Sequence, residues 1–163
     1  AMTTFIAQNK GAGEQERIKR GFFWGMCIEV AYSLFLLVFI FLGAPRIMEL
    51  FAEGEKARVI ELGTAYLRLI AFLYLLPGFT NGIQGFFRGI GDLKVTLYST
   101  FMNMLGRVAA VVLMIRVFHM GFSSLAWANM AGWILMLLFE VPLFVKCVKS
   151  DFALQGFSFS RMR

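Results

Sequence analysis

The stretch FFWGMCIEVAYSLFLLVFIFLG, residues 22–43, decides the fold. Glu29 is its single charged side chain. At about 1.5 Å rise per residue, a helix of this length reaches about 30 Å, the thickness of a bilayer's hydrocarbon core. A barrel strand would be half as long and would alternate apolar with polar residues, which this run does not. Lipid offers no partner to an open backbone, so a segment of this kind must be a helix.

Three further runs lie downstream. Leu62–Phe87 contains Arg68, Pro77, Asn81 and Gln84; Val95–Phe118 holds Asn103, Arg107 and Arg116; Ser124–Val145 carries Glu140 near its end. The whole chain of 163 residues is 59% hydrophobic and 16% charged, with a mean hydropathy of +0.71. Soluble domains carry about 25% charged residues. The expectation is an all-α polytopic membrane bundle of four transmembrane helices, at 22–43, 62–87, 95–118 and 124–145. Such a bundle leaves no room for a water-soluble catalytic domain, so the chain does not read as an enzyme.

A net charge of +6 would suggest nucleic acid in a soluble protein. Here the basic residues sit beside the apolar runs, as membrane topology requires. Lys and Arg collect on the cytoplasmic side of short loops. Ten of them, in the N-terminal segment, the 88–94 loop and the C-terminal tail, would share one side, against four in the two opposite loops. Both ends are therefore expected in the cytoplasm, with the protein integral to the plasma (inner) membrane. Cys27 and Cys147 stand far apart and there is one His, so no clustered ligand set for a metal is visible.

Between the spans, AMTTFIA reads as the last turns of a preceding helix, and residues 1–21 as its end plus a linker. The charged EQERIKRG lies on the surface or extends the first span inward. PRIMELF, 45–51, suits a short interfacial helix. Residues 146–163 form the cytoplasmic tail, whose SDFALQGFSFSRMR (150–163) shows no clear period and is expected to be loosely ordered.

An ionisable side chain inside a span needs a partner, a wet cavity or an interface to reach. Glu29 and Asn103 both lie about 12 Å from the cytoplasmic boundary, and Arg107 about 18 Å. A pair between Glu29 and Arg107 or Asn103 is geometrically open. Arg68 either snorkels outward or lines a cavity with Arg107. Two readings stand for Glu29, Arg68, Asn103 and Arg107: contacts to substrate or a coupling cation, or buried structural pairs. Glu140, about 6 Å from the boundary, is expected to snorkel. Gly78/Gly82, Gly85/Gly89 and Ala128/Gly132 are small residues four apart, a spacing that lets helices approach closely in lipid. Pro77 predicts a bend. GFFRGIGDLK, 85–94, reads as a tight turn whose Asp92 accepts hydrogen bonds from turn backbone or pairs with a base.

AQNKGAGEQERIKRG (7–21), YLRLIAF (66–72), FFRGIGDLK (86–94) and the GW of AGW (131–133) together resemble the multidrug and toxic compound extrusion (MATE) family. The motifs occur in the family's order over about residues 7–150. The resemblance implies the last four helices of a six-helix lobe, the C-terminal one, in a twelve-helix transporter. It implies an antiporter, driven by Na+ or H+ and without another cofactor, that exports cationic or amphipathic organic compounds by alternating access. Its partners would be that substrate, the lipid bilayer and the remaining helices. Matching loop positions are Gln8, Asn9, Gly11 and Gly13, then Arg88, Gly89, Gly91 and Asp92. Leu93 departs from the usual Thr, and Leu62–Phe87 has none of the acids some members use there, so no ion site carries over. Two alternatives remain: a flippase for lipid-linked precursors, which cationic cavity residues would favour, and a non-transporting four-helix membrane subunit.

Overall fold

The computed structural model describes residues 1–51, 56–119, 121 and 123–150, and every regular element among them is a helix. The tail at 151–163 and the loop acids Glu53 and Glu55 lie outside the described residues. The helices are α1 (Met2–Gly11), α2 (Gln15–Phe51), α3 (Lys56–Leu73), α4 (Leu75–Gly89), α5 (Leu93–Arg116) and α6 (Ser124–Lys149). Three of them, α2, α5 and α6, are long and apolar enough to cross a membrane; α3 and α4 together make a fourth, bent span. Side chains such as Leu42, Leu105 and Leu138 remain about 70% exposed, as expected of helices whose solvent is hydrocarbon.

The separate interfacial helix expected at 45–51 does not exist. Instead α2 runs unbroken for 37 residues, straight through Pro45, and takes in QERIKR at its start. Proline has no N–H, so the Phe41 carbonyl one turn earlier loses its helical donor. Arg68 on α3 replaces that donor: its Nε donates to Phe41 O at 3.3 Å. Its guanidinium also lies 5.2 Å from the centre of the Phe41 ring, within range of a cation–π contact.

Pro77 acts differently. It occupies the first turn of α4, where proline is tolerated, and leaves Leu73 O without an i+4 donor. The chain closes a shorter link, Tyr74 N–H to Ala71 O at 3.2 Å, and α3 and α4 meet at 44°.

The bent-in half, α4, is the centre of the bundle and packs on α1, α2, α5 and α6. Its glycine pairs make this possible. A Cβ on Gly82 would lie 2.1 Å from Met26 Sδ of α2, and one on Gly89 would lie 2.6 Å from Ile6 Cβ of α1. Ile6, Ile18, Ile83, Phe86, Phe87 and Ile90 form the main apolar core. There the rings of Phe22, Phe86 and Phe144 meet with centroids 4.7–5.5 Å apart, in the range of favourable aromatic pairing. On the other side, α5 and α6 close on each other where Gly106 faces Gly132.

Both family-like loops prove to be one device used twice. At the end of α4, Gly91 N–H donates to Arg88 O at 3.2 Å and Asp92 N–H to Phe87 O at 2.9 Å. At the end of α1, Gly13 N–H donates to Lys10 O at 3.1 Å and Glu14 N–H to Asn9 O at 2.9 Å. This double bond pattern is the Schellman cap, and it needs a left-handed residue at its corner. Gly13 (φ 75°) and Gly91 (φ 86°) supply it. Lys10 Nζ donates to Ile90 O and so ties one cap to the other. The expectation for Asp92 fails: its side chain makes no capping bond to α5, and its backbone N–H is what closes the turn.

Gly91→Ala should lower stability by about 1–2 kcal/mol, the cost of a left-handed L-residue. Gly11→Ala, in helical backbone with open space at its Cβ, should be neutral or stabilising by up to about 1 kcal/mol. Thermal unfolding in detergent compares them, and equal effects would dismiss the cap explanation. Arg68→Met should cost about 1–3 kcal/mol, the penalty of an unsatisfied carbonyl. In a Pro45→Ala background, which restores the N–H to Phe41 O, that loss should largely vanish; a double-mutant cycle showing additivity would refute the link between the two residues.

Candidate functional site

Four polar side chains were expected inside the spans, and the fold separates them. Arg68 belongs to the Pro45 region of α2 and α3. Glu29, half-buried on α2, rests with Ser33 against α4: a Cβ on Gly78 would lie 3.0 Å from Ser33 Oγ and 3.3 Å from Glu29 Cγ. Asn103 and Arg107 lie one turn apart on α5, against α6. The pair open to Glu29 with Arg107 or Asn103 is not formed. Among the described residues the ion pair present is Lys19–Glu16, at 3.1 Å. The reason is lateral, not vertical: α2 packs on α1, α3 and α4, whereas α5 packs on α6 and α4. Equal depth in the bilayer did not make the two residues neighbours.

Asn103 and Arg107 do come together. They fold over Gly132 of the AGW segment, where a Cβ would lie 2.5 Å from Asn103 Oδ1 and 2.4 Å from Arg107 Cγ. Both line a cavity of about 450 Å³, whose polar lining also includes Tyr66 from α3, Thr100 from α5 and Asn129 from α6. The rest of the lining is aliphatic or thioether. Thr100 spends its hydroxyl on Thr96 O at 2.8 Å. Asn103 Nδ2 contacts Met136 Sδ at 3.4 Å, while its Oδ1 is buried without a hydrogen-bond partner. A mostly apolar recess with a few convergent polar groups suits reversible binding of an amphipathic molecule.

Glu140 overturns its expectation. It does not snorkel; its side chain is 0% exposed, enclosed by α4, α5 and α6. Gln84 Nε2 donates to Glu140 Oε1 at 2.9 Å and to Ser99 Oγ at 3.2 Å. The residue types were visible in the runs, but their meeting was not. Gln84 and Glu140 are 56 positions apart, and the depth argument assumed that this side of α6 faced lipid.

The loop residues have structural roles. Gln8 and Lys10 offer carbonyls to the α1 cap, and buried Asn9 donates its Nδ2 to Phe5 O at 2.7 Å. Arg88 donates its Nε to Gln84 O at 3.2 Å, Gly89 lets α1 approach, and Gly13 and Gly91 turn the corners.

The chain was also compared with known proteins. A family model, MatE, matches residues 1–113. No curated protein and no solved structure matches the chain. That match covers more than half of the sequence and takes in both Schellman-capped motifs, the bent pair α3–α4 and the α5 residues that line the cavity. The chain belongs to the MatE family, a family of multidrug and toxic compound efflux transporters.

Proposed function

We propose that this chain forms one wall of the substrate path of a Na+- or H+-driven antiporter that exports amphipathic organic compounds by alternating access. The observation that carries this is the cavity between α5 and α6, apolar in its walls and furnished with Asn103 and Arg107. Asn103 and Arg107 bring an amide and a guanidinium to this apolar lining, groups suited to fixing the polar end of an amphipathic guest. The 44° break between α3 and α4 offers a place where one segment can tilt against the rest, with Tyr66 of α3 already at the cavity. Orientation follows from the ten-to-four distribution of Lys and Arg, which favours cytoplasmic ends in an inner membrane. The remaining helices of the transporter and the bilayer would cover the exposed apolar faces of α2 and α5.

One observation favours a second reading. The charged side chain in the cavity lining is a cation, Arg107, which suits anionic amphiphiles such as lipid-linked precursors better than organic cations.

Transport in proteoliposomes, with each ion gradient imposed in turn, tests both readings. Export should require one gradient and stop when both are collapsed; export that continues without either would end the antiporter reading. Arg107→Gln should reduce transport of an anionic amphiphile about tenfold or more, since a hydrogen bond to a charged group is worth about 1.5–3 kcal/mol. If Arg107→Gln leaves anion transport untouched, and the wild type exports an organic cation, the flippase reading is lost.

A further inference from the structure

The buried Glu140 has no role in the cavity just described. Its carboxyl is fully enclosed. No cation of the described residues lies within ion-pairing distance; Arg88 of α4 is the charged group whose field reaches it, and that guanidinium is anchored on Gln84 O. Lys10 and Asp92 act further along α6, on Cys147. From α5 comes a hydroxyl, that of Ser99. An unpaired carboxylate in such surroundings is strongly disfavoured.

Counting hydrogens shows what is missing. Gln84 gives one N–H to Oε1, and Oε2 has no partner. Ser99, beside the carboxyl, already accepts from Gln84 Nε2 at 3.2 Å, and its single hydrogen is directed to Thr96 O at 3.1 Å. Ser99 Oγ can therefore accept in this arrangement more readily than donate. A carboxylic acid completes the set: Gln84 donates to Glu140, Glu140 donates to Ser99, and Ser99 donates to Thr96.

We propose that Glu140, held by Gln84 and Ser99, is a proton-binding site, and that the conformation described here is its protonated form. Release of the proton to water leaves a carboxylate with too few donors, a state relieved only if α4 or α5 draws back and water enters. Because Gln84 stands on α4, beyond the break at Tyr74, the proton would bias the position of that central helix. This coupling role rests on the antiporter reading; the proton site itself does not.

Infrared difference spectra of the purified protein in lipid, in water and in deuterium oxide, test the site directly. The wild type should show a neutral-carboxyl band at neutral pH that shifts in deuterium oxide, is absent in Glu140→Gln and changes frequency in Ser99→Ala. Ser99→Ala keeps the carboxyl and guards against a Glu140→Gln protein that fails to fold. Identical bands in all three proteins, or a Glu140 signal governed by Na+ at fixed pH, would overturn the proposal. In proteoliposomes, Glu140→Gln should abolish export driven by a pH gradient. If it still exports on a pH gradient, the coupling role fails and the antiporter reading stands. If the wild type exports nothing but the Glu140 band is present, the antiporter reading fails and the proton site stands.

Discussion

Inside hydrocarbon, a backbone carbonyl or N–H that loses its helical partner has to find another within the protein. Three irregular points of this fold are solutions to that constraint. Pro45 frees a carbonyl, and Arg68 comes from the next helix to fill it. Ahead of Pro77 the chain tightens to a three-residue link and bends. At the ends of α1 and α4, where the chain must reverse within three or four residues, the last carbonyls are satisfied by N–H groups from just beyond a left-handed glycine. The backbone is therefore hydrogen-bonded at several of the places where it looks most broken in sequence.

The same constraint governs side chains. Gln84, Ser99 and Glu140 are each costly alone at their depth and become tolerable as a connected set. Asn103 is left half-satisfied at the edge of a cavity. The Glu140 cluster and Asn103 thus sit one turn apart on the same face of α5, both touching Met136 Sδ of α6, one enclosed against α4 and the other open toward α3. That division separates a place built to hold something small and internal from a place with room for a guest.

Much of this was legible in the residues. Length and apolarity marked the spans, Pro77 marked the bend, and glycines four apart marked the faces by which α4 approaches α1 and α2. What escaped was whatever needed two distant segments at once. Pro45 argued for a helix end because nothing local shows that a residue 27 positions away from Phe41 will complete its bond. Depth arithmetic placed Glu29 level with Asn103 but carried no information on azimuth, and Glu29 turned to α4 instead. Glu140 was misjudged for the same reason. The twin caps were hidden differently: NKGAGE and FRGIGD share little identity, and their likeness is in bond pattern and backbone angle.

The tie between those caps has a consequence for biosynthesis. Lys10 and Ile90 are 80 positions apart, so α1 and α2 leave the ribosome several seconds before their partner helix, at the usual rate of about 5–20 residues per second. For that interval Ile6 and Ile18, destined for the core with Phe86 and Phe87, have no protein to cover them. The nascent hairpin must be sheltered by lipid or by the insertion machinery until α4 arrives. α4 is thus the helix on which the earlier ones close.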